Sequence, residues 1–414
     1  LADQVLNAGR SPDAVQARGF GRVWSSVTRE IGDMQEHARV PALWGRLARV
    51  AAGLLAIAGA IWLFSGDQPL RHADRHAVVD WECSGITGSR STAMSYPIVR
   101  DNWVFAVRGG KGKSDVVAID RQSGRLLWQV AFKEVGALAA DDRRVFVLGT
   151  DESGLRCVLS LDESSGSVLW RHDKGMGTPR GDGPGSLAVT DDGVCVASGS
   201  GLFYLTKNSG ELAWTGRLGL SGPLSISGGG DGRIYVASGR LLCAMQVENG
   251  EIAWRQTLEG GAVALVRPVL WSGAGKVVVV RGLSLKGGDV TCFNAMDGRR
   301  LWEQEVGSPL SAQVAGGRIY VKSSNLEVLD LGSGRHLWSV PEDGCSPVAW
   351  ADGIVYFIGG KQKQEIYSLD ATTGRRLWEE RLASSCSGVV VDGNHGYLSA
   401  HNGVLYAITI RNRT

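Results

Sequence analysis

Net charge is what this chain has least of. Across its 414 residues, 44 Lys and Arg stand against 42 Asp and Glu. From residue 77 onward the count is 35 basic and 35 acidic. A nucleic-acid-binding domain carries a basic excess on its binding face, so no nucleic-acid partner is expected. Cysteine is also sparse. Cys83, Cys157, Cys195, Cys243, Cys292, Cys345 and Cys386 are all there is, and no two have C-x-x-C spacing. A zinc site or a dithiol redox motif is therefore not expected, and the odd number leaves at least one thiol without a disulfide partner. No G-x-S-x-G nucleophile elbow and no D-x-D-x-D calcium loop occur. The stretch Arg108–Asp115, RGGKGKSD, has the end of a P-loop but Val107 where the first Gly would stand, and it lies in a strand-to-strand loop. His395 and His401 flank one short strand about 20 Å apart, too far to share a metal, and read as exposed turn histidines. Asp191, Asp192 and Asp231 sit in Gly-rich hairpins, which turn chemistry explains. No catalytic, cofactor-binding or metal-ligating residue is assigned.

Proline is scarce too, at 11, while glycine reaches 58, about twice its usual share. That combination suits many short strands joined by tight turns. Hydrophobic residues make up 43%, which excludes wholesale disorder.

Only one long apolar run occurs. Residues 50–65 read VAAGLLAIAGAIWLFS with no charge. Sixteen helical residues span about 24 Å, and Leu43, Trp44, Leu47 and Ala48 extend the apolar character backward while Arg46 and Arg49 can snorkel. Trp44 and Trp62 stand near the two ends, as an interfacial aromatic belt would have them. Some 49 residues precede the run, too many for the n-region of a cleaved signal peptide. The spacing predicts an uncleaved transmembrane helix over residues 46–66. Residues 1–49 carry seven Arg and five acidic residues, whereas Asp67, Arg71, Asp74 and Arg75 cancel. The positive side is N-terminal, which places residues 1–45 in the cytoplasm and the rest of the chain outside it. Some helical character around Val23–Gln35 marks that first segment as partly helical. Residues 67–76 read as a linker.

The remainder repeats itself. The segments AIDRQSGRLLW, SLDESSGSVLW, YLTKNSGELAW, AMQVENGEIAW, CFNAMDGRRLW, VLDLGSGRHLW and SLDATTGRRLW end at Trp128, Trp170, Trp214, Trp254, Trp302, Trp338 and Trp378. Each carries G-x-x-x-W, through Gly124, Gly166, Gly210, Gly250, Gly298, Gly334 and Gly374. The Trp intervals are 42, 44, 40, 48, 36 and 40 residues. A period near 40 that holds only strand-like runs is the length of a four-stranded propeller blade. The Gly follows a strand in a hairpin that needs positive φ, and the preceding Ser, Asn, Asp or Thr bonds its own backbone in that turn. Trp81, 47 residues before Trp128, is one further unit. At the other end SGVVVDG, GYLSAHNG and VLYAITI supply three strands with no closing Trp strand. The strand from Ala77 to Cys83 is therefore expected to complete that last blade and zip the ring shut. The total is eight blades over residues 77–410. Cys345 and Cys386 fall at similar repeat positions, and the sequence leaves open whether they pair.

These segments resemble the PQQ-like propeller repeat, whose consensus is close to A-x-D-x-x-T-G-x-x-x-W. Seven in register, covering about four-fifths of the chain, make the resemblance specific. It implies that the seven Trp, with Trp81 as an eighth, dock on the glycines between neighbouring blades. The family has a catalytic branch, the quinoprotein dehydrogenases, which hold PQQ and Ca²⁺ in the central funnel above adjacent bridged cysteines. It also has a non-catalytic branch typified by the outer-membrane assembly lipoprotein BamB. This chain has no Cys-Cys pair, and its intervals leave no room for the catalytic insertions. It is closer to the BamB branch, but carries an apolar segment in place of a lipid-modified Cys. The expected function is a non-enzymatic, membrane-anchored, extracytoplasmic scaffold, periplasmic or extracellular, which needs no cofactor. It would bind other subunits of a membrane complex through propeller loops, with a small-molecule ligand left open. The alternatives are the sensor domain of a kinase-like membrane signalling protein and, more remotely, a cofactor-binding quinoprotein.

Overall fold

A computed structural model describes residues 76–84, 96–110, 113–176, 185–198, 201–218, 224–228, 230–238, 240–259, 268–284, 287–341 and 346–411. The expected cytoplasmic segment and the expected helix over 46–66 lie outside these residues. Among the described residues no helix is long and apolar enough to cross a membrane.

The described chain forms eight four-stranded antiparallel sheets. Blade 1 contains Ile98–Arg100, Trp103–Gly110, Lys113–Asp120 and Leu126–Phe132. Blades 2 to 7 begin with the strands Glu134–Ala140, Ser186–Val189, Ser225–Gly228, Val269–Gly273, Ser311–Ala315 and Ala349–Ala351. They end with Val168–His172, Leu212–Arg217, Ile252–Thr257, Arg300–Val306, His336–Pro341 and Arg376–Arg381. Blade 8 is composite. Cys386–Asp392, His395–Ala400 and Val404–Ile410 are completed by Ala77–Ser84, which pairs antiparallel with Val404–Ile410. The all-β, eight-bladed architecture and its closure by an N-terminal strand are as the repeat count requires.

Burial follows from strand position. The middle strands are sandwiched between neighbouring blades and read as continuous apolar runs. Arg144–Thr150, RVFVLGT, is buried at every residue after the first. The fourth strand has only one covered side, so Val168–His172 alternates, with Trp170 and His172 buried and the rest exposed. The core divides accordingly. Eight hydrophobic clusters occur, one at each blade-to-blade interface. The first strands of consecutive blades adjoin around the centre.

One irregularity recurs in every blade. The register between the third and fourth strands shifts by one residue just before the repeat Trp: at Ala118/Ile119 in blade 1, at Ser368/Leu369 in blade 7, and at Val79/Trp81 in blade 8. Such a bulge re-aims the next side chain. Here it turns the indole toward the following blade.

Candidate functional site: blade seams and the loop face

The third and fourth strands of blades 1 to 7 are joined by one turn type. In blade 1 the Gly124 N–H donates to the Asp120 carbonyl at 2.9 Å, and the same bond recurs at Gly166, Gly210, Gly250, Gly298, Gly334 and Gly374. All seven glycines have φ between 68° and 73°, a region open to Gly at little cost. Four of these turns are anchored by an Asp. Asp120 Oδ1 accepts from the Ser123 N–H at 2.7 Å, Asp330 from the Ser333 N–H at 2.8 Å, and Asp370 from the Thr373 N–H at 2.7 Å. Asp162 accepts from Ser164 and Ser165. Hydroxyl hydrogen bonds from these residues, first of all causes, hold the four carboxyls below their ordinary 3.8.

The structure brings seven of the eight Trp onto the Gly of the next blade. Trp81 lies over Gly124, Trp128 over Gly166, Trp170 over Gly210, Trp214 over Gly250, Trp254 over Gly298, Trp302 over Gly334 and Trp338 over Gly374. A Cβ on Gly124 would stand 2.6 Å from Trp81 Cδ2, and one on Gly250 2.7 Å from Trp214 Cδ2. No residue other than Gly fits under the indole. Each indole N–H also donates to the carbonyl three residues before that Gly, at 2.9 Å for Trp81 to Arg121 and 2.8 Å for Trp128 to Glu163. The series continues through Trp170, Trp214, Trp254, Trp302 and Trp338. The buried polar end of each Trp is thus satisfied while its face is covered.

Eight tryptophans meet seven glycines, and the eighth contact was not foreseen. Trp378 belongs to blade 7 and faces the seam, where no covalent turn joins Ile410 to Ala77. Ala77 stands four residues before Trp81, in the place of the missing Gly, and shares a buried cluster with Trp378. With no turn to make, no positive φ is needed there, and Ala is accepted. Its N–H donates to Glu380 Oε2 at 2.7 Å. His76 stacks on Trp378, with ring centroids 5.2 Å apart and planes 2° from parallel. His76 and Arg411 exchange hydrogen bonds at 2.7 and 3.0 Å. Asp80, the bulged residue, accepts from Thr409 Oγ1 at 2.9 and 2.8 Å, and His395 Nδ1 lies 3.7 Å from it. His395 therefore faces a seam carboxylate from the first position of a strand, which corrects the reading of it as an exposed turn residue. His401 does lie in an exposed turn. The signal available in the sequence was the A-x-x-x-W at Ala77–Trp81.

No metal-binding constellation emerges. Among the described residues no three His, Cys, Asp or Glu gather closely enough to hold an ion. Gly109 and Gly110 of the P-loop-like stretch pair with Ser114 and Lys113 as ordinary ladder residues. Burial pushes the Cys195 and Cys386 thiols up to about 12, and Cys243 and Cys292 up to about 11. Cys386 is a free thiol, and Cys345 lies outside the described residues.

Two polar arrangements were not visible as motifs. Arg281 and Asp289 face each other across the second and third strands of blade 5, with side chains only 6% and 3% exposed. Arg281 Nε donates to Asp289 Oδ1 at 3.0 Å, and its Nη2 bonds both Asp289 Oδ2 and the Glu259 carbonyl. On the face that carries the hairpins between second and third strands, a cleft of about 670 Å³ opens between blades 6 and 7, lined by Asn325, Pro341, Lys361, Gln364 and Arg381 among others.

Repeated four-stranded blades, each passing a Trp onto its neighbour's turn glycine, define a β-propeller of PQQ-like repeats. The chain belongs to the family described as outer membrane protein assembly factor BamB, whose profile matches residues 79–218, 156–285 and 268–349. It is 25% identical over 359 residues to the outer membrane protein assembly factor BamB of Yersinia pestis, covering 76% of this chain and 85% of that one. Its fold is similar to that of BamB from Moraxella catarrhalis, at a TM-score of 0.61 and 13% identity over 80% of this chain and 99% of that one. It is also similar in fold to a europium-containing methanol dehydrogenase, at a TM-score of 0.56 and 12% identity over 80% and 93%. The last two likenesses concern fold alone.

Proposed function

We propose that this protein is a non-enzymatic scaffold, held outside the cytoplasm by residues 46–66, that binds other subunits of a membrane complex through its propeller loops. In this reading residues 1–45 are cytoplasmic, 67–76 link the anchor to the ring, and 77–410 are the propeller. The eight tryptophans and seven glycines lock the blades and take no part in chemistry.

The observation that carries the reading is the family match along the ring to relatives named as assembly factors. The geometry is consistent with it. Repeating one Trp-on-Gly contact at successive interfaces makes a stiff ring, on which loops are the surfaces free to bind a partner. The strand that closes the ring, Ala77–Ser84, directly follows residues 67–76 in the sequence.

The test is gentle purification of the full chain from its native membrane in mild detergent, with mass spectrometry of what remains bound. A stoichiometric set of membrane proteins is expected. A lone chain carrying a tightly bound small molecule would overturn the scaffold reading and favour a sensor or cofactor-binding role.

A further inference from the structure

The hairpins between second and third strands differ in length from blade to blade. In blade 6 only Ser323 and Ser324 separate Arg318–Lys322 from Asn325–Asp330. In blade 7 the loop runs from Gly360 to Gln364, reading GKQKQ, and overhangs its short neighbour. The step between them is the wall of the cleft. Lys363 is held at φ +52°, an uncommon conformation for a side-chain-bearing residue, by backbone bonds from Lys363 N–H to Gly360 and from Cys386 N–H to the Lys363 carbonyl. The loop is thus built into the fold rather than draped over it.

The described lining of the cleft carries more cations than carboxylates, in a propeller whose 35 basic and 35 acidic residues cancel overall. Lys361 and Arg381 bring two cations to the lining, and among the described residues neither makes an ion pair. Glu365 is the one carboxylate on the described lining. It sits directly across the ladder from Arg381, yet turns away, and its Oε2 accepts from the Tyr367 hydroxyl at 2.9 Å. Arg381 is left with a 3.5 Å contact to the Gln364 amide oxygen. The other polar groups at hand, Asn325, Gln362 and Gln364, are amides, which both donate and accept.

We propose that this cleft binds an acidic peptide segment of a partner protein. A guanidinium and an ammonium with no carboxylate of their own recognise carboxylates through charge-assisted hydrogen bonds. Amide side chains beside them suit the N–H and C=O groups of a peptide backbone. The volume lies within the ~300–1,000 Å³ typical of ligand sites, and a single small anion would leave most of it empty. The proposal rests on the scaffold reading and names one surface through which it works.

The test uses the full chain in detergent micelles and fluorescein-labelled hexaglutamate as probe, read by fluorescence anisotropy. Saturable binding is expected that weakens as salt rises, because exposed charges are screened. Arg381→Glu and Lys361→Glu should each weaken binding about tenfold, while Arg335→Glu, at an exposed turn on the other face of blade 6, should leave it unchanged. Thermal melts of the variants establish that they fold. No binding of hexaglutamate, equal binding of hexalysine, or indifference to Arg381→Glu would overturn the proposal. Displacement of the probe by an equal concentration of inorganic phosphate would replace the peptide by a small anion. The co-purification experiment reads partners at any face, so either result can fail without the other.

Discussion

His76 and Trp378, 302 positions apart in the sequence, lie face to face with ring centroids 5.2 Å apart and planes 2° from parallel. They sit at the interface of blades 7 and 8, where no covalent turn joins the third and fourth strands of blade 8. The seven other interfaces each have a Trp on a turn glycine, so the His–Trp stack stands in for a contact that the open chain cannot make.

His76→Ala should therefore loosen the seam selectively. A loss of about 1 kcal/mol is expected from the stack, with more if the paired bonds to Arg411 weaken. Hydrogen exchange should rise first in Ala77–Ser84 and Val404–Ile410, while blades 3 to 5 stay protected. Uniform exchange across the ring would show that the seam is not the weakest joint.

Two Arg–Asp pairs occupy corresponding ladder positions and should behave differently. Arg281–Asp289 is almost fully buried, whereas Arg108–Asp115, at 3.0 Å, leaves its side chains 28% and 23% exposed. Asp289→Ala leaves a buried guanidinium uncompensated and should cost about 3–5 kcal/mol. Asp115→Ala should cost no more than about 1 kcal/mol. Urea unfolding of the two variants decides between them.

Tyr235 and Tyr320 follow the same R-I-Y-V sequence in blades 4 and 6, but only Tyr235 has a carboxylate. Its hydroxyl donates to Asp231 at 2.6 Å, while the buried Tyr320 hydroxyl has no hydrogen-bond partner among the described residues, Gly316 standing where Asp231 does. Tyr235→Phe removes the bond to Asp231, which is itself exposed, and should destabilise by about 1 kcal/mol. Tyr320→Phe removes an unsatisfied group and should be neutral or slightly stabilising. Thermal denaturation of both variants is the measurement. An equal loss in the two would mean that the Tyr320 hydroxyl is satisfied.

Acid should weaken the turns. Asp120, Asp162, Asp330 and Asp370 have carboxyls held below their ordinary 3.8 in the folded state, chiefly by hydroxyl hydrogen bonds. The unfolded chain then binds protons first. The stability these groups contribute is complete above about pH 4 and is lost as pH falls through their lower folded values. The melting temperature should drop below pH 4, and the drop should shrink in Asp330→Asn and Asp370→Asn. An unchanged acid profile in the double variant would assign the loss to other groups.

The sequence by itself determined the blade. Strand alternation, the turn that ends in Gly and the Trp four residues later are all written within about ten neighbouring residues. Their φ requirements and burial pattern hold whatever lies beyond them. Counting those units, and finding Trp81 stranded before the first and three strands stranded after the last, sufficed for eight blades and for closure by an N-terminal strand. The pairing of each Trp with the next blade's Gly came from family resemblance, and the coordinates add its atomic detail. Only the tertiary structure decided what happens where the local rule cannot run. Ala77 in a glycine's place, His76 on Trp378 and His395 beside Asp80 depend on residues some 300 positions apart being brought to one edge. The Tyr320 hydroxyl and the cations Lys361 and Arg381, without a hydrogen-bond or ion-pair partner respectively among the described residues, depend on what adjacent blades supply. Spacing along a chain reports what a residue needs from its own backbone, and the ring alone reports which neighbour meets that need.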